Sequence, residues 1–187
     1  MTAHGGRALA AAVGYPVPGP PSRTARAVRA VAATAPAARL LALTLRPVDR
    51  VLQRAGSGRV SAPGVLAGLP VVVLTTTGAR TGAPRSVPLI PVVTADVFAV
   101  VGTNFGGPHT PAWVLNLEAR PRADLSFAGR SLEVHARLLE GDRRAALLAH
   151  AAEVYPGFGR YVRRAAHRQV RVFALEVPPE GGGGRQP

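Results

Sequence analysis

The sequence contains no cysteine and no lysine, and its aromatic and acidic residues are few. The absence of cysteine excludes disulfides, cysteine-ligated zinc, iron–sulfur clusters and thiol catalysis. No apolar run reaches the ~18 residues that a membrane-spanning helix requires, so we expect a chain that is soluble or lies on a surface. With 47% hydrophobic but only 5% aromatic residues, a core is available, and it consists mainly of Ala, Val and Leu.

The N-terminal sequence carries no recognisable export signal. Residues 1–21 contain one arginine and a short Ala-rich run. They lack the strongly apolar stretch of ~7 or more residues that is typical of a signal peptide. The lack of cysteine fits a reducing and an oxidising compartment equally. We therefore expect a cytoplasmic protein.

Positive charge is in large excess, and all of it is arginine. The 23 basic residues outnumber ten acidic ones, which gives a net charge of +13. The abundance of Ala, Gly and Pro indicates a GC-rich genome, so part of this arginine usage reflects codon bias. The excess is greatest in residues 1–60, where nine arginines face a single acid, Asp49. Such an excess predicts an anionic partner: a phosphate, a membrane surface or a nucleic acid.

The first 60 residues are predicted to form an extension before the main domain. Residues 1–21 are rich in Gly and Pro and are expected to be disordered. From Ser22 onward, apolar residues recur at helical spacing between arginines, and Pro36 and Pro47 divide this pattern into shorter helices. A basic amphipathic stretch either packs on its own domain or a partner subunit, or lies on anionic lipid.

The remaining sequence predicts one antiparallel domain over residues 61–178 and a disordered Gly-rich tail over 179–187. A helix is expected from Thr110, as the capping residue, to Ala119. Two further helical segments are expected after Asp142 and around Tyr161. Strands and helices do not alternate regularly, which argues against a parallel dinucleotide-binding sheet. The six predicted strands span residues 71–77, 86–93, 97–103, 122–127, 131–140 and 170–177.

Residues 78–85 form the first candidate site. Two glycines, Gly78 and Gly82, can turn backbone amides toward a ligand, and Arg80 and Arg85 bracket the same loop. Such a concave amide surface with guanidinium donors suits a phosphate. The Gly-Lys-Ser/Thr of a Walker loop is missing. A hairpin with solvated arginines remains the alternative.

Residues 102–113 form the second candidate site, between a predicted strand and a predicted helix. Backbone amides and a helix N-terminus meet here, which suits an anionic or polar ring edge. Trp113 is the only tryptophan, and a core position is its alternative interpretation. His109 is a candidate phosphate donor or a solvated loop residue.

Together these segments resemble the deazaflavin (F420)-dependent nitroreductase family, within the flavin- and deazaflavin-binding split β-barrels. The resemblance covers residues 71–177. It is carried by Leu74-Thr75-Thr76-Thr77-Gly78, Arg80, Gly82, Pro84-Arg85, Pro88-Leu89, Thr103-Asn104, Gly106, Pro111-Ala112-Trp113, Asn116-Leu117, Glu153-Val154-Tyr155-Pro156-Gly157-Phe158 and Tyr161.

The resemblance implies an α+β, mainly antiparallel fold, a six-stranded split β-barrel with flanking helices, to which the basic pattern before residue 61 adds an N-terminal helical extension. It also implies coenzyme F420 as the cofactor. Proteins of this type hold the phosphate and oligoglutamyl tail of the deazaflavin with basic residues of the Gly-rich loop, here Arg80 and Arg85. The implied cofactor-binding residues are Arg80, Thr81, Gly82, Arg85, Pro88, Thr103, Asn104, Gly106, Ala112 and Trp113.

The resemblance also implies a substrate site. Tyr155, Phe158 and Tyr161 match an aromatic trio that closes over the substrate in the nitroreductase branch, and the two tyrosine hydroxyls are the candidate catalytic groups. The sequence departs from that branch at Phe158, which lacks a hydroxyl, and at Ile90, where that branch carries an aromatic hydroxyl. The substrate residues are therefore predicted to be Ile90, Tyr155, Phe158 and Tyr161.

We predict an oxidoreductase that transfers a hydride from reduced coenzyme F420 to a quinone, a nitroaromatic or an activated alkene. No carboxylate or histidine pair suggests an acid–base dyad, and no metal site is expected, which fits chemistry carried by a coenzyme. The alternatives are an FMN-dependent split-barrel oxidoreductase and a non-catalytic protein that binds the coenzyme or an anionic surface. Nucleic acid is not expected, because aromatic residues are not interleaved with the arginines. The protein is expected to be a monomer or homodimer, with peripheral association on the inner membrane face through its basic N-terminal segment.

Overall fold

The computed structural model describes residues 5–17 and 70–178. The basic helical pattern predicted after Ser22 and the predicted Gly-rich tail lie outside the described residues. The division into extension, domain and tail therefore stays a prediction. Within the described residues, no helix combines the length and the apolar character that a bilayer crossing demands.

Seven strands form one sheet in the order β2-β1-β5-β6-β7-β4-β3, and every neighbouring pair is antiparallel. Most of the strands are rich in Val, Leu, Thr and Phe, whose side chains fit a pleated surface. The strands are β1 (Val72–Thr77), β2 (Pro84–Leu89), β3 (Val92–Val93), β4 (Phe98–Val101), β5 (Arg122–Phe127), β6 (Arg130–Leu138) and β7 (Val172–Glu176).

The sheet curls because its two edge strands are consecutive in the sequence. Only Ile90 and Pro91 separate β2 from β3, yet the two strands lie at opposite ends of the strand order. This confirms the mainly antiparallel α+β barrel class, with seven strands rather than six. The strand predicted over residues 86–93 is divided at this point, since proline has no N–H for a sheet ladder.

Helix α1 (Gly5–Val13) overturns the expectation of disorder for this part of the N-terminus. Its Ala-rich sequence favours a helix, and its Leu9, Ala10 and Val13 are buried against the sheet. Gly6 permits the close approach, because an added Cβ would lie 2.5 Å from the carbonyl oxygen of Thr94. Tertiary burial thus orders a segment whose Gly and Pro content had suggested disorder.

Three further helices surround the sheet: α2 (Ala112–Ala119), α3 (Gly141–Val154) and α4 (Pro156–Arg164). The expected caps are wrong in detail. Pro111, in an extended conformation, is the residue that precedes α2, and no side chain caps this helix. Glu140 precedes α3, and Asp142 lies within its first turn.

Two apolar cores lie on the two faces of the curled sheet. Along β4, Phe98 and Val100 face one core while Ala99 and Val101 face the other, as the two-residue period of a strand requires. The first core also contains α1 residues and Trp113, Val114 and Leu117 of α2. The second core is covered by α3 and α4. The sheet therefore separates α2, on the side of the first core, from α3 and α4, on the side of the second.

Candidate functional site

The loop between β1 and β2 is held by its own backbone. The Gly78 N–H donates to the carbonyl of Ala83, and the Gly82 N–H donates to the carbonyl of Gly78, both at 2.8 Å. Gly82 has a φ of +69°, which favours glycine. The two glycine amides that the sequence suggested as anion donors are therefore already in use, so the arginine side chains are the donors that this loop can offer.

Arg80, Thr81, Gly82 and Arg85 are all exposed. Within residues 5–17 and 70–178, neither arginine is in an ion pair. An exposed guanidinium with its charge uncompensated can form a forked, charge-assisted hydrogen bond to a phosphate or carboxylate. Both arginines thus remain available for the anionic ligand that the sequence predicts.

A buried asparagine connects both ends of this loop to α2. Asn116 donates from Nδ2 to Oγ1 of Thr76 at 3.0 Å, and its Oδ1 accepts from the N–H of Ala79 at 2.9 Å. Thr76 in turn donates to the carbonyl of Arg85 at 3.3 Å. Ala79 directly precedes Arg80, so one side chain positions the backbone beside both arginines.

Arg120 adds a second connection, since its Nη1 donates to the carbonyl of Gly78 at 2.9 Å. The sequence had given Asn116 only as part of the family resemblance, and it had not indicated Arg120 at all. A polar residue between Leu115 and Leu117 on a mostly apolar helix was the one signal for Asn116. Nothing in the local sequence distinguishes Arg120 from a solvated arginine.

The second segment contains a short 3₁₀ turn over Asn104–Gly106. Asn104, Phe105 and Gly106 all have positive φ values, of 49°, 53° and 79°. For the two residues with a Cβ this conformation costs on the order of 1–3 kcal/mol each, and it persists only where the surroundings enforce it. Part of that enforcement comes from Asn104, whose Nδ2 donates to the carbonyl of His109 at 3.0 Å.

Arg168, which follows α4, contributes more than Asn104 to holding the turn in this conformation. Its guanidinium donates to the carbonyls of Thr103 at 2.8 Å, Gly102 at 3.1 Å and Gly107 at 3.4 Å. Burial lowers the pKa of Arg168. The sequence analysis missed this residue, because one arginine among 23 carries no signal of its contacts with a loop some 60 positions away.

The remaining predicted cofactor residues differ in exposure. Thr103 and Trp113 are buried, whereas Asn104 and Ala112 are exposed and Gly106 and Pro88 are partly buried. The Trp113 ring meets Phe173 edge-on at 6.1 Å between centroids, inside the first core. Trp113 is therefore surrounded as a core residue is.

The three aromatic residues of the predicted substrate site form one buried cluster. Tyr155, Phe158 and Tyr161 are 3%, 6% and 4% exposed. The hydroxyls of Tyr155 and Tyr161 are 3.3 Å apart, within hydrogen-bond reach. Glycine at position 157 leaves room for the Tyr155 ring, because an added Cβ would clash with it. The trio is thus packed as core.

Neighbouring residues pack around this cluster. The predicted substrate residue Ile90, from the connection between β2 and β3, packs against the second core to which the trio belongs, and Phe105 meets Tyr161 edge-on at 5.7 Å. Arg164 lies 5.1 Å from the centroid of the Tyr161 ring. An added Cβ on Gly106 would lie 2.6 Å from that of Arg164, so the 3₁₀ turn rests directly on α4.

These contacts form one continuous path through the predicted site. The arginine loop is hydrogen-bonded to α2, and the connection that leads into α2 contains the 3₁₀ turn. That turn packs on α4, which carries Phe158 and Tyr161. Within the described ranges, no group of three or more His, Asp or Glu side chains is arranged to hold a metal ion.

The chain is similar to known proteins both in sequence and in fold. The model of the F420H(2)-dependent quinone reductase family matches residues 44–177, which is more than half of the chain. A curated F420H(2)-dependent quinone reductase of Mycobacterium tuberculosis is 32% identical over 68 residues, 36% of this chain and 46% of that protein. A Mycobacterium bovis relative has the same identity and coverage. The matched segment thus spans about half the length of these curated relatives.

Two solved structures are similar in fold and in sequence. One, described as an F420-H2 dependent reductase, is 35% identical with a TM-score of 0.51 and covers 57% of this chain and 94% of its own. Another, described as a domain-swapped dimer, is 32% identical with a TM-score of 0.52 and covers 70% of this chain and 95% of its own. The neighbours support the split-barrel fold and the resemblance found in the sequence.

Proposed function

Because the chain belongs to the F420H(2)-dependent quinone reductase family, we propose that it binds coenzyme F420 and reduces a quinone. The observation that carries the proposal is the contact path from the arginine loop to the aromatic cluster. It joins residues that are about 80 positions apart in the sequence and that the resemblance had assigned separately. Direct contacts between these segments support their assignment to one site.

The residues present fit such a coenzyme. Arg80 and Arg85 offer two exposed guanidinium groups with no ion pair among the described residues, which suits a phosphate and a carboxylate-rich tail. Asn104 and Ala112 are exposed beside the 3₁₀ turn and the start of α2, and they would contact the ring system. The positively charged surroundings raise the local concentration of an anionic coenzyme.

When bound, the reduced deazaflavin supplies a hydride from its own ring carbon. The protein then contributes position, exclusion of water and a proton. The hydroxyls of Tyr155 and Tyr161 are the proton donors that we assign, since they lie 3.3 Å apart in a buried environment. Ile90 and Phe158 would shape the apolar wall against which the substrate lies.

A quinone is our primary substrate proposal, and nitroaromatics and activated alkenes are secondary ones. Phe158 belongs to the apolar second core and Ile90 packs against that core, and apolar side chains of this kind would suit a flat, weakly polar acceptor. Steady-state assays with a soluble quinone, a nitroaromatic and a cyclic enone would rank the three classes. A higher kcat/KM for either of the other acceptors would overturn the preference for quinone.

The decisive experiment is a parallel titration of the full-length protein with oxidised F420 and FMN, monitored by the fluorescence of each. We expect F420 to bind and FMN to bind at least tenfold more weakly. Equal or tighter FMN binding would instead identify an FMN-dependent protein of the same fold. Binding of F420 without turnover of any acceptor would identify a coenzyme-binding protein. The oligomeric state, monomer or homodimer, stays a prediction, which light scattering can test.

A further inference from the structure

The turn that precedes α2 has a shape that its own sequence does not favour. Asn104, Phe105 and Gly106 all adopt left-handed conformations, which glycine and, less readily, asparagine accept but which phenylalanine does not favour. Only a turn that is fixed from outside can keep these residues in place. This turn contains Asn104 and Gly106, which we assigned to the coenzyme site.

Arg168 is the side chain that fixes this turn from outside. It donates to three carbonyls, two before the turn (Gly102 and Thr103) and one after it (Gly107). The planar guanidinium reaches all three at once, which a lysine ammonium on its flexible chain does not reproduce. Beside it, His167 Nε2 lies 3.1 Å from the carbonyl oxygen of Pro108.

The charge of Arg168 is also not neutralised locally. Its hydrogen bonds all go to backbone carbonyls, and within the part of the chain that the structure describes it is in no ion pair. Arg171, three residues further along, does meet a carboxylate, that of Glu118, at 2.7 Å. Arg168 therefore combines a fixed turn with an uncompensated positive charge at the same place.

We propose that Arg168 is a positioning residue for the coenzyme: it holds the Gly102–Gly107 turn in the one shape that presents Asn104 and Gly106 to the bound ring. The proposal rests on the proposed function. It predicts that loss of the guanidinium fork lowers coenzyme affinity, even where the charge is kept. It also predicts that the catalytic step itself is little changed once the coenzyme is bound.

The test compares full-length Arg168→Lys and Arg168→Gln with Arg163→Gln. Arg163 is exposed on α4 and makes none of the hydrogen bonds that Arg168 makes to the turn carbonyls, so it gives a charge-matched control. F420 affinity is measured by fluorescence titration, and amide hydrogen exchange is measured in coenzyme-free protein. We expect at least tenfold weaker binding for both Arg168 variants, with faster exchange confined to residues 102–109. The KM for reduced coenzyme should rise while kcat at saturation stays within about twofold of the parent.

Other outcomes decide against the proposal in distinct ways. If Arg168→Lys binds as tightly as the parent, charge alone matters and positioning is refuted. If both Arg168 variants melt at lower temperature but bind F420 normally when folded, the residue is merely structural. If Arg168→Gln does not fold, the affinity and exchange of Arg168→Lys decide the question. If the parent and Arg163→Gln fail to bind F420 at all, the proposed function fails and not this inference alone.

Discussion

Arg85 and Arg137 are both arginines on strands, but only Arg137 has an ion-pair partner within the described residues. Its Nη2 lies 2.6 Å from Oε1 of Glu176 on the neighbouring strand. Arg85 is exposed beside the loop that we assign to the coenzyme phosphate or tail. Comparison of the two residues therefore distinguishes an arginine that we assign to the ligand from one that is already paired with a carboxylate of the protein.

We expect Arg85→Ala to weaken F420 binding by about 1.5–3 kcal/mol, the contribution of a charge-assisted hydrogen bond. Arg137→Ala should leave the affinity within about twofold of the parent, because a surface ion pair contributes little. Fluorescence titration of both variants measures the difference. Similar affinities for the two variants would refute the assignment of Arg85.

Asn116 is the second residue whose role can be isolated. Asn116→Ala removes the acceptor of the Ala79 N–H and the donor to the Thr76 hydroxyl, so we expect a loss of about 1–3 kcal/mol in the free energy of unfolding. Coenzyme affinity should fall as well, because the arginine loop loses one of its two hydrogen-bonded connections and keeps only that of Arg120. Urea unfolding and F420 titration measure the two effects.

Leu115→Ala is the matched control, since Leu115 is on the same helix but is 49% exposed. We expect it to change stability by no more than about 0.5 kcal/mol, as is usual for surface positions. If Asn116→Ala changed stability and F420 affinity as little as this control does, the hydrogen bonds of Asn116 to the loop would contribute nothing to either property.

At the scale of elements, an aromatic trio that closes over a substrate is either a mobile lid or part of the ordinary core. The burial of Tyr155, Phe158 and Tyr161 favours the core. We expect Tyr155→Ala and Tyr161→Ala each to lower the free energy of unfolding by about 3–5 kcal/mol. Thermal and urea unfolding measure this loss.

The phenylalanine variants separate packing from proton donation. Tyr155→Phe and Tyr161→Phe keep the rings and remove one hydroxyl each, so stability should change far less than in the alanine variants. If the hydroxyls supply a proton, kcat should fall by about 10²-fold or more in at least one variant, the range of general acid catalysis. Unchanged kcat in both phenylalanine variants would indicate that solvent supplies the proton. Unchanged stability in the alanine variants would instead indicate that the trio is a mobile lid.

Helix α1 and the segment after it provide a pH-dependent prediction. Tyr15 donates to the carbonyl of Pro70 at 3.2 Å and packs edge-on against Phe98 and Phe127. Burial raises the pKa of Tyr15 above the 10.0 of a free tyrosine. The folded state thus keeps a proton that the unfolded state loses above pH 10, so this contribution to stability is present below pH 10 and declines as the pH rises beyond it.

We expect the free energy of unfolding to fall between about pH 10 and 11, and to fall less steeply in Tyr15→Phe. Arginine stays charged over this range, so it does not obscure the effect. Urea unfolding at several pH values measures the two slopes. Equal slopes in parent and variant would show that Tyr15 ionises as freely in the folded state as in the unfolded one.

The patterns that sequence predicts well are those that local physics determines. The alternation of Leu132, Val134 and Ala136 with outward Glu133 and His135 matches the exposure along β6. The hairpin between β5 and β6, the helix after Pro111 and the last strand were predicted for the same reason, since period and turn chemistry act over a few residues.

What the sequence could not predict depends on contacts between distant residues. Arg168 meets a loop more than 60 positions earlier, and Asn116 meets one nearly 40 positions earlier. Helix α1 is ordered by burial on a sheet that its own sequence does not reveal. The division at Ile90 and Pro91 follows from closure of the whole sheet. In each case tertiary structure overrides a local expectation.

At the scale of the whole molecule, the uneven charge remains to be explained. Residues 1–60 carry nine arginines and one acid, and most of them lie outside the described residues. The sequence predicts that this segment associates with an anionic membrane surface. Deleting all 60 residues would not test the idea cleanly, because α1 and Tyr15 belong to the first core. Substitution of arginines beyond Tyr15 keeps α1 and Tyr15 in the chain.

We therefore expect the triple variant Arg23→Gln, Arg26→Gln, Arg29→Gln to bind vesicles of phosphatidylglycerol about 10²-fold more weakly than the parent. Each arginine near an anionic surface contributes about 1 kcal/mol. F420 affinity and thermal stability should stay unchanged, since none of the three belongs to the assigned site. Vesicle co-sedimentation at low and high salt measures the binding, and added salt should weaken the parent most. The control is Arg122→Gln, Arg130→Gln, Arg163→Gln, which removes the same charge from exposed positions of the barrel and α4. If both triple variants lose vesicle binding equally, the attraction belongs to the net charge of +13 and not to the N-terminal segment.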